Sequence, residues 1–138
     1  MIIDHIGIVV ESIKTGIAHW EKVFGYRQMT EIVNNYRQKV NVTFLKKEGS
    51  LTIKLIEPAG ETSPIYRFAK QGGGLHHICF KCGNLESEIK RLKEMGLHIL
   101  ASPQPGEAFD NENIAFIYAK QGLNIELIDT DRKAKKIL

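Results

Sequence analysis

An internal repeat with a constant offset of 72 residues limits the folds open to this chain more than any other feature. Residues 4–10 align with residues 76–82 when His5 is placed on His77. The same offset aligns apolar positions further along the chain: Ile13, Ile17 and Trp20 with Leu85, Ile89 and Leu92; Val42 and Phe44 with Ile114 and Phe116; Ile53, Leu55 and Ile56 with Ile125, Leu127 and Ile128. Because one register holds across several elements, the chain is expected to contain two copies of one supersecondary unit.

Each copy shows the pattern of a strand, a helix and three further strands. Apolar alternation predicts strands, and apolar residues at helical spacing, between a capping Ser12 or Asn84 and a terminating Gly25 or Gly96, predict helices. The predicted strands are 3–10, 28–34, 39–47, 50–57, 76–82, 97–101, 113–119 and 123–129, and the predicted helices are 12–24 and 85–95. The fold class is therefore α+β, with two tandem βαβββ modules in one domain spanning residues 1–138.

The expected organisation is module one at about residues 1–58, a linker at 59–73, module two at about 74–130, and a basic tail at 131–138. The linker carries prolines and glycines, and its middle, residues 65–69, could form a short helix. The tail carries much of the basic excess of the chain, and such a charged stretch is typically a solvated segment. The glycines at 72–74 lack a following Lys-Ser or Lys-Thr and lead into a strand, so they do not indicate a phosphate-binding loop.

The composition argues against several classes of partner. With 19 basic and 16 acidic residues the net charge is only +3, and no basic face interleaved with aromatic residues appears, so we expect no nucleic acid partner. No apolar run approaches the roughly 18 residues of a membrane span, and the first residues do not resemble a secretion signal, so we expect no membrane association and a cytoplasmic location. Cys79 and Cys82 should lie on opposite faces of one strand, which favours reduced cysteines over a disulfide.

Strand alternation predicts which residues share the face turned away from the helices. The more apolar face of each strand, carrying Ile6 and Ile8 or Leu123 and Ile125, should pack on a helix. The other face then carries His5, Lys54, His77 and Glu126, with Lys54 and Glu126 separated by the repeat offset. If the two copies are related by a pseudo-twofold axis, these four side chains converge.

Two imidazoles and a carboxylate suit a borderline divalent metal ion such as zinc, nickel or cobalt. Three protein ligands plus water is also the usual composition of a catalytic site. The alternative is that His5 and His77 are hydrogen-bonded structural histidines, since single histidines in strands usually are. Their equivalent positions in the repeat favour the metal hypothesis.

Three stretches, residues 4–10, 73–80 and 123–128, resemble the vicinal oxygen chelate superfamily, which includes glyoxalase I, methylmalonyl-CoA epimerase, extradiol dioxygenases and fosfomycin or bleomycin resistance proteins. The resemblance covers about residues 2–130 and is strongest to the epimerases and the glyoxalase-like proteins near them. It implies paired βαβββ modules in a cupped, open mixed sheet with helices on the outer face. It also implies that His5, His77 and Glu126 bind a divalent metal, and that Glu126 takes part in proton abstraction next to a carbonyl.

One position departs from the pattern of this family. The residue paired with Glu126 is normally Glu or Gln, a fourth ligand, and here it is Lys54, whose protonated ammonium cannot ligate a metal. Residues 38–44 also lack a second acidic group. Lys54 could bind an anionic group of a substrate beside a three-ligand metal, could pair with Glu126 in place of a metal, or could act as a second acid/base catalyst in its neutral form.

The leading hypothesis is therefore a metal-dependent epimerase, or a lactoylglutathione lyase, acting on a small carbonyl or thioester substrate through Glu126 and Lys54. A metal-free small-molecule binding protein on the same scaffold is the alternative, and an iron-dependent dioxygenase is a third. A homodimer is one assembly the chain could adopt. Fold resemblance by itself does not identify the substrate.

Overall fold

The chain forms one nine-stranded mixed sheet with three helices, described for residues 1–138 by a computed structural model. The strands are β1 (Ile2–Val9), β2 (Arg27–Gln28), β3 (Val33–Asn35), β4 (Val40–Lys46), β5 (Thr52–Pro58), β6 (Gly74–Lys81), β7 (His98–Gly106), β8 (Glu112–Ala119) and β9 (Leu123–Ile128). The helices are α1 (Ile13–Phe24), α2 (Tyr66–Lys70) and α3 (Leu85–Glu94), and a 3-10 turn spans Glu107–Phe109. The sheet is open, and the α+β class expected from the sequence is confirmed.

The two copies of the repeat meet at the centre of the sheet. The strand order is β2-β4-β5-β1-β6-β9-β8-β7, with β3 pairing with β4. Strands β1 and β6 are antiparallel neighbours, whereas β1 runs parallel to β5 and β6 runs parallel to β9. The two copies are therefore related by a pseudo-twofold axis between β1 and β6. These two strands carry His5 and His77, which were predicted on the site face.

Helices α1 and α3 begin at equivalent positions of the repeat and cover the same face of the sheet, here called the outer face. Ser12 accepts a hydrogen bond from the Thr15 backbone, and Asn84 accepts one from the Ser87 backbone at 2.9 Å, as expected of N-caps. Each helix packs on the sheet through a separate apolar cluster. Gly25 ends α1 in the left-handed conformation that a helix C-terminus favours.

A carboxylate at the end of the last strand of each copy also holds the helix of that copy. Glu57 accepts a hydrogen bond from the Ile13 backbone at 2.7 Å, and Asp129 accepts one from the Leu85 backbone at 2.8 Å. A negative charge at a helix N-terminus is favourable because the first backbone N–H groups have no partner within the helix. Glu57 therefore lies on the outer side, away from the face that carries His5 and Lys54.

Two predicted strands have different limits in the structure. The strand predicted at 28–34 is divided into β2 and β3, because the chain between them crosses to a bridge between Thr30 and Lys136. Strand β7 continues to Gly106, beyond the predicted end at residue 101, with shifts of register along its pairing with β8. Leu51, which falls in the predicted strand 50–57, lies before β5 begins and is 42% exposed.

The backbone of the basic tail is packed against the protein, although all its charged side chains except that of Lys133 are exposed, as expected of a solvated segment. The backbone N–H of Ala134 donates to the Ala108 carbonyl at 2.9 Å, and the N–H groups of Ile137 and Leu138 donate to Met29. Ala134 is buried in the cluster of apolar residues on the inner face of the sheet, opposite the helices. Backbone hydrogen bonds and one buried methyl group therefore hold the segment in place despite its charges. No helix of the structure has both the length and the hydrophobicity to cross a lipid bilayer.

Candidate functional site

The structure brings together all four residues predicted on the site face. His5, Lys54, His77 and Glu126 lie on the inner face and are each at most 2% exposed. They come from β1, β5, β6 and β9, the four strands nearest the pseudo-twofold axis. Gly7 pairs with His77 across β1 and β6, and its missing side chain leaves the space that the His77 ring occupies.

Three potential ligand atoms form a nearly equilateral triangle. His5 Nε2 and His77 Nε2 are 3.2 Å apart, and they lie 3.0 Å and 3.1 Å from Glu126 Oε1. Two ligands at right angles around a metal with bonds of about 2.1 Å are about 3.0 Å apart, so these spacings match those of neighbouring ligands in one coordination sphere. The three residues are therefore a group that could hold a metal ion.

The Glu126 carboxylate accepts no well-aligned hydrogen bond although it is fully buried. Both of its oxygens lack a hydrogen-bond partner, even with two imidazole nitrogens beside Oε1. A buried carboxylate without such partners carries a large desolvation cost unless a cation compensates it. Lys54 Nζ lies 3.7 Å from Oε2, which is an ion pair but longer than a hydrogen bond. The donor atoms thus fit a metal ion beside Oε1, whereas the Lys54 ammonium beside Oε2 competes with a metal ion for the carboxylate.

The residue before each histidine contacts that histidine through its Nδ1 atom. His5 Nδ1 lies 2.7 Å from Asp4 Oδ2, and His77 Nδ1 lies 2.8 Å from His76 Nδ1. Asp4 and His76 are unpaired between regular positions of β1 and β6, so each is a one-residue bulge. A bulge re-aims side chains locally, which explains why two adjacent residues act on the same side of the strand.

Aromatic side chains enclose His5 and both nearby ammonium groups. Phe44 packs edge-on against the His5 ring at 5.2 Å between centroids, and Phe109 stacks on it at 6.1 Å. Lys54 Nζ lies 5.1 Å from the centroid of Phe109, and Lys133 Nζ lies 5.3 Å from the same centroid. The rings therefore restrict His5 and offer their faces to two cations, an arrangement that stabilises buried positive charge.

A cleft of about 450 Å³ leads to the site from one side. His76, His77 and Lys54 line it, whereas His5 and Glu126 do not, and its walls are mainly apolar. The other residues that line it are Arg37, Gln38, Val40, Val42, Ile56, Pro64, Ile65, Leu100, Ala101, Gln104, Phe116 and Asn124. The lining contains two cationic side chains, Arg37 and Lys54, and no carboxylate, so the cleft is suited to an anionic ligand with an apolar portion.

The ionisation of the site residues follows from burial and from their neighbours. Burial lowers the pKa of His77 to about 4, so the imidazole is neutral and able to ligate. Burial by itself would raise the pKa of Glu126, but the Lys54 charge and His77 outweigh it and hold that pKa well below its ordinary value. Burial also opposes ionisation of Asp4, yet its hydrogen bond to His5 and the Lys133 charge keep its pKa lowered.

Sequence reasoning missed Asp4, His76 and Lys133. Asp4 and His76 are themselves separated by the repeat offset and immediately precede His5 and His77, so the alignment of the copies could have identified them. Strict strand alternation placed them on the opposite face, because bulges are not visible in an apolar pattern. Lys133 lies in a charge run and carries no sequence signal that separates it from its neighbours.

The expected reduced state of the cysteines agrees with the structure. Cys79 and Cys82 are buried free thiols in different apolar clusters. His19 and His98 are exposed and lie outside the site. Cys79 also lies near Asp4 and His5, but burial raises the pKa of its thiol and Lys133 occupies the carboxylate, which makes this second group a poor cation site.

The fold and this arrangement of histidines and glutamate define a class of proteins. Residues 4–118 match the Glyoxalase/Bleomycin resistance protein/Dioxygenase superfamily, and the chain belongs to it. This is the vicinal oxygen chelate superfamily, whose βαβββ modules account for the two halves of the sheet.

Individual relatives place the chain near the epimerases of this superfamily. It is 37% identical over 131 residues to the uncharacterized protein YqjC of Bacillus subtilis, covering 92% of this chain and 91% of that protein. It is 27% identical to a mitochondrial methylmalonyl-CoA epimerase of Dictyostelium discoideum, covering 95% and 78% of the two chains. A Streptomyces coelicolor methylmalonyl-CoA epimerase variant in complex with 2-nitronate-propionyl-CoA is similar with a TM-score of 0.83 and 25% identity, covering 95% and 98%.

Proposed function

We propose that this protein is a metal-dependent epimerase that removes and returns a proton next to the carbonyl of an acyl-CoA thioester. The observation that carries the proposal is the buried triangle of His5 Nε2, His77 Nε2 and Glu126 Oε1, with sides of 3.0–3.2 Å, which adjoins a cleft through His77. His5, His77 and Glu126 would hold a divalent ion such as zinc, nickel or cobalt, with the remaining positions left to water or substrate.

The lining of the cleft suits a thioester substrate that carries a negative charge. Its apolar walls suit a short acyl group and the alkyl part of a thioester, and Lys54 is a lining residue that could bind a substrate carboxylate. Arg37, at the same cleft, pairs with Glu107 at 2.9 Å through Nη1, so only its other N–H groups could bind an anionic group. The epimerase relatives and the acyl-CoA analogue bound to one of them are consistent with this substrate class.

Glu126 is the base in this proposal. The metal, when bound, would supply positive charge beside the carbonyl oxygen of the substrate. The C–H bond next to the carbonyl breaks, its electron pair moves into the carbonyl to give an enolate, and the proton passes to Glu126. Lys54, 3.7 Å from Glu126 Oε2, stabilises the ionised carboxylate before the transfer and attracts the anionic part of the substrate. Epimerisation is completed when the Lys54 ammonium, or a water molecule, gives a proton to the other face of the enolate and Glu126 releases its proton to the solvent.

Solvent exchange at the acidic carbon tests this proposal without requiring the product to be known. We expect a 2-methyl-branched acyl-CoA to take up deuterium from heavy water in the presence of the zinc-loaded protein, and Glu126→Gln to reduce the rate at least about 100-fold because an amide cannot accept the proton. Glu86→Gln, an exposed position on α3, is the matched control and should leave the exchange unchanged.

The outcomes of the exchange experiment separate the related reactions. Exchange only with a thiol hemithioacetal would favour a lactoylglutathione lyase over an epimerase. Exchange that persists in Glu126→Gln would remove Glu126 from the role of base. No exchange with any substrate of either class, with zinc bound, would refute the proposal.

The Lys54–Glu126 ion pair favours a second candidate, a metal-free protein that binds a small anionic molecule in the cleft. In that case Lys54 compensates the buried carboxylate and no metal enters. Titration with zinc, nickel and cobalt, followed by calorimetry, distinguishes the two. One equivalent bound supports the enzyme, whereas uptake below about a tenth of an equivalent supports the binding protein.

A further inference from the structure

The C-terminal segment, defined here as residues 130–138, reaches the candidate metal site through one side chain. Lys133 is 6% exposed at its side chain, and its Nζ lies 3.3 Å from Asp4 Oδ2 and 3.4 Å from Asp4 Oδ1. The same ammonium lies over the rings of Phe44 and Phe109 at 5.2 Å and 5.3 Å from their centroids. The contact joins residues that are 129 positions apart in the chain.

The backbone around Lys133 is hydrogen-bonded to both copies of the repeat. Ala134 is hydrogen-bonded to Ala108 in the second copy of the repeat, and the Lys135 carbonyl accepts from the Glu31 backbone in the first copy at 2.9 Å. Because Ala134 is buried, the segment cannot slide without exposing it. The fold thus holds the Lys133 ammonium in place, unlike the ammonium of a mobile surface lysine.

Asp4 connects this ammonium to His5. Its Oδ2 atom is both 2.7 Å from His5 Nδ1 and 3.3 Å from Lys133 Nζ. A carboxylate that accepts a hydrogen bond from Nδ1–H leaves the lone pair of Nε2 free for a metal and makes the imidazole a stronger ligand. In the second copy the equivalent contact is made by the neutral ring of His76, which needs no counterion. The charged version in the first copy needs one, since Asp4 is largely removed from solvent.

We propose that Lys133 is a positioning residue for the candidate metal ligand His5, acting through Asp4. It holds the Asp4 carboxylate against His5 Nδ1, which favours the Nδ1–H tautomer of the ring and directs the Nε2 lone pair toward His77 and Glu126. The inference rests on the proposed metal site and adds to it a residue from beyond the repeat. The C-terminal segment thus becomes part of the site's construction although none of its residues lines the cleft.

Two measurements on the full-length protein test this inference. Zinc affinity is measured by competition with a chromophoric chelator for wild type, Lys133→Met, Lys133→Arg and Lys136→Met. Lys133→Met should weaken zinc binding about 10-fold, the usual effect of removing an outer partner of a metal ligand. Lys133→Arg keeps the charge and should recover affinity to within about threefold. Lys136, exposed on the same segment, is the matched control and should show no change.

The second measurement follows the His5 ring itself in the metal-free protein by 15N NMR. Wild type and Lys133→Arg should show the Nδ1–H form of His5, and Lys133→Met should gain a population of the Nε2–H form. Circular dichroism confirms that each variant is folded, and Lys133→Gln replaces Lys133→Met if the latter is not.

An unchanged His5 ring in Lys133→Met, or unchanged zinc affinity where wild type binds zinc, overturns the inference. Failure of the wild-type protein to bind zinc refutes the proposed function instead. The ring measurement alone then decides whether Lys133 positions His5.

Discussion

Lys54 is the residue at which this site differs most from what its superfamily implies. Its ammonium is buried beside Glu126, at the position where a Glu or Gln side chain is expected as the fourth ligand. Lys54 also lines the cleft. Counting Asp4 and Lys133, the buried groups around the site carry two negative and two positive charges before any metal binds. A divalent ion would therefore enter surroundings that are already neutral overall, so the affinity of the site should be limited by Lys54 more than by its geometry.

Lys54→Gln should raise the affinity for zinc by 10-fold or more. The change removes a positive charge 3.7 Å from Glu126 Oε2 and supplies an amide oxygen that can act as a ligand. Titration with zinc under chelator competition measures the effect, and Lys46→Gln, at an exposed position on β4, is the matched control. An affinity equal to that of wild type would mean that the ammonium does not oppose the metal, and the three-ligand hypothesis would need another fourth group.

At the scale of elements, the regular parts of the chain could be predicted from the sequence and the irregular parts could not. Helices α1 and α3 fall within a residue of their predicted limits, because caps and apolar spacing are local signals. Apolar alternation along strands is also a local signal, and it predicted that His5, Lys54, His77 and Glu126 lie on one face of the sheet. The bulges at Asp4 and His76 and the path of the C-terminal segment depend on contacts with distant residues, which a periodic pattern does not record.

The close approach of β1 and β6 gives a prediction at Gly7. A methyl group added at Gly7 would overlap the His77 ring, so Gly7→Ala must displace either the ring or one of the strands. We expect zinc affinity to fall more than 10-fold and the free energy of unfolding to fall by about 1–3 kcal/mol. Chelator competition and urea denaturation measure the two effects.

Gly83→Ala is the control for this change, since a side chain at Gly83 meets no atom within 4 Å and its backbone is not in the left-handed region. Unchanged zinc affinity in Gly7→Ala would show that the His77 ring does not need the space beside Gly7.

At the scale of the whole molecule, stability is linked to the buried site. His77 and Glu126 are both removed from solvent on the inner face of the sheet, which also carries a cluster of buried apolar residues. The native state keeps His77 neutral down to a pKa of about 4, whereas an unfolded chain protonates histidine near pH 6.5. Between these two values the unfolded state binds more protons than the native state, so the free energy of unfolding must fall as the pH falls.

For the metal-free protein we therefore predict a loss of stability between about pH 6.5 and pH 4 of up to about 3 kcal/mol from His77. Urea denaturation at a series of pH values measures it, and His77→Gln should flatten the dependence over this range. His98→Gln, at an exposed histidine, should keep the wild-type dependence. A wild-type profile that is flat from pH 7 to pH 5 would contradict the placement of a neutral His77 in the interior.

The pseudo-twofold axis between β1 and β6 has an evolutionary consequence. If two separate one-module subunits formed such a sheet, a single gene would set both residues at the positions of Lys54 and Glu126, giving two lysines or two glutamates facing each other. In a chain that carries both modules, each position mutates by itself, and a lysine can stand opposite a glutamate across the axis. Duplication within one chain is thus the step that allows the two sides of the site to take different chemical roles.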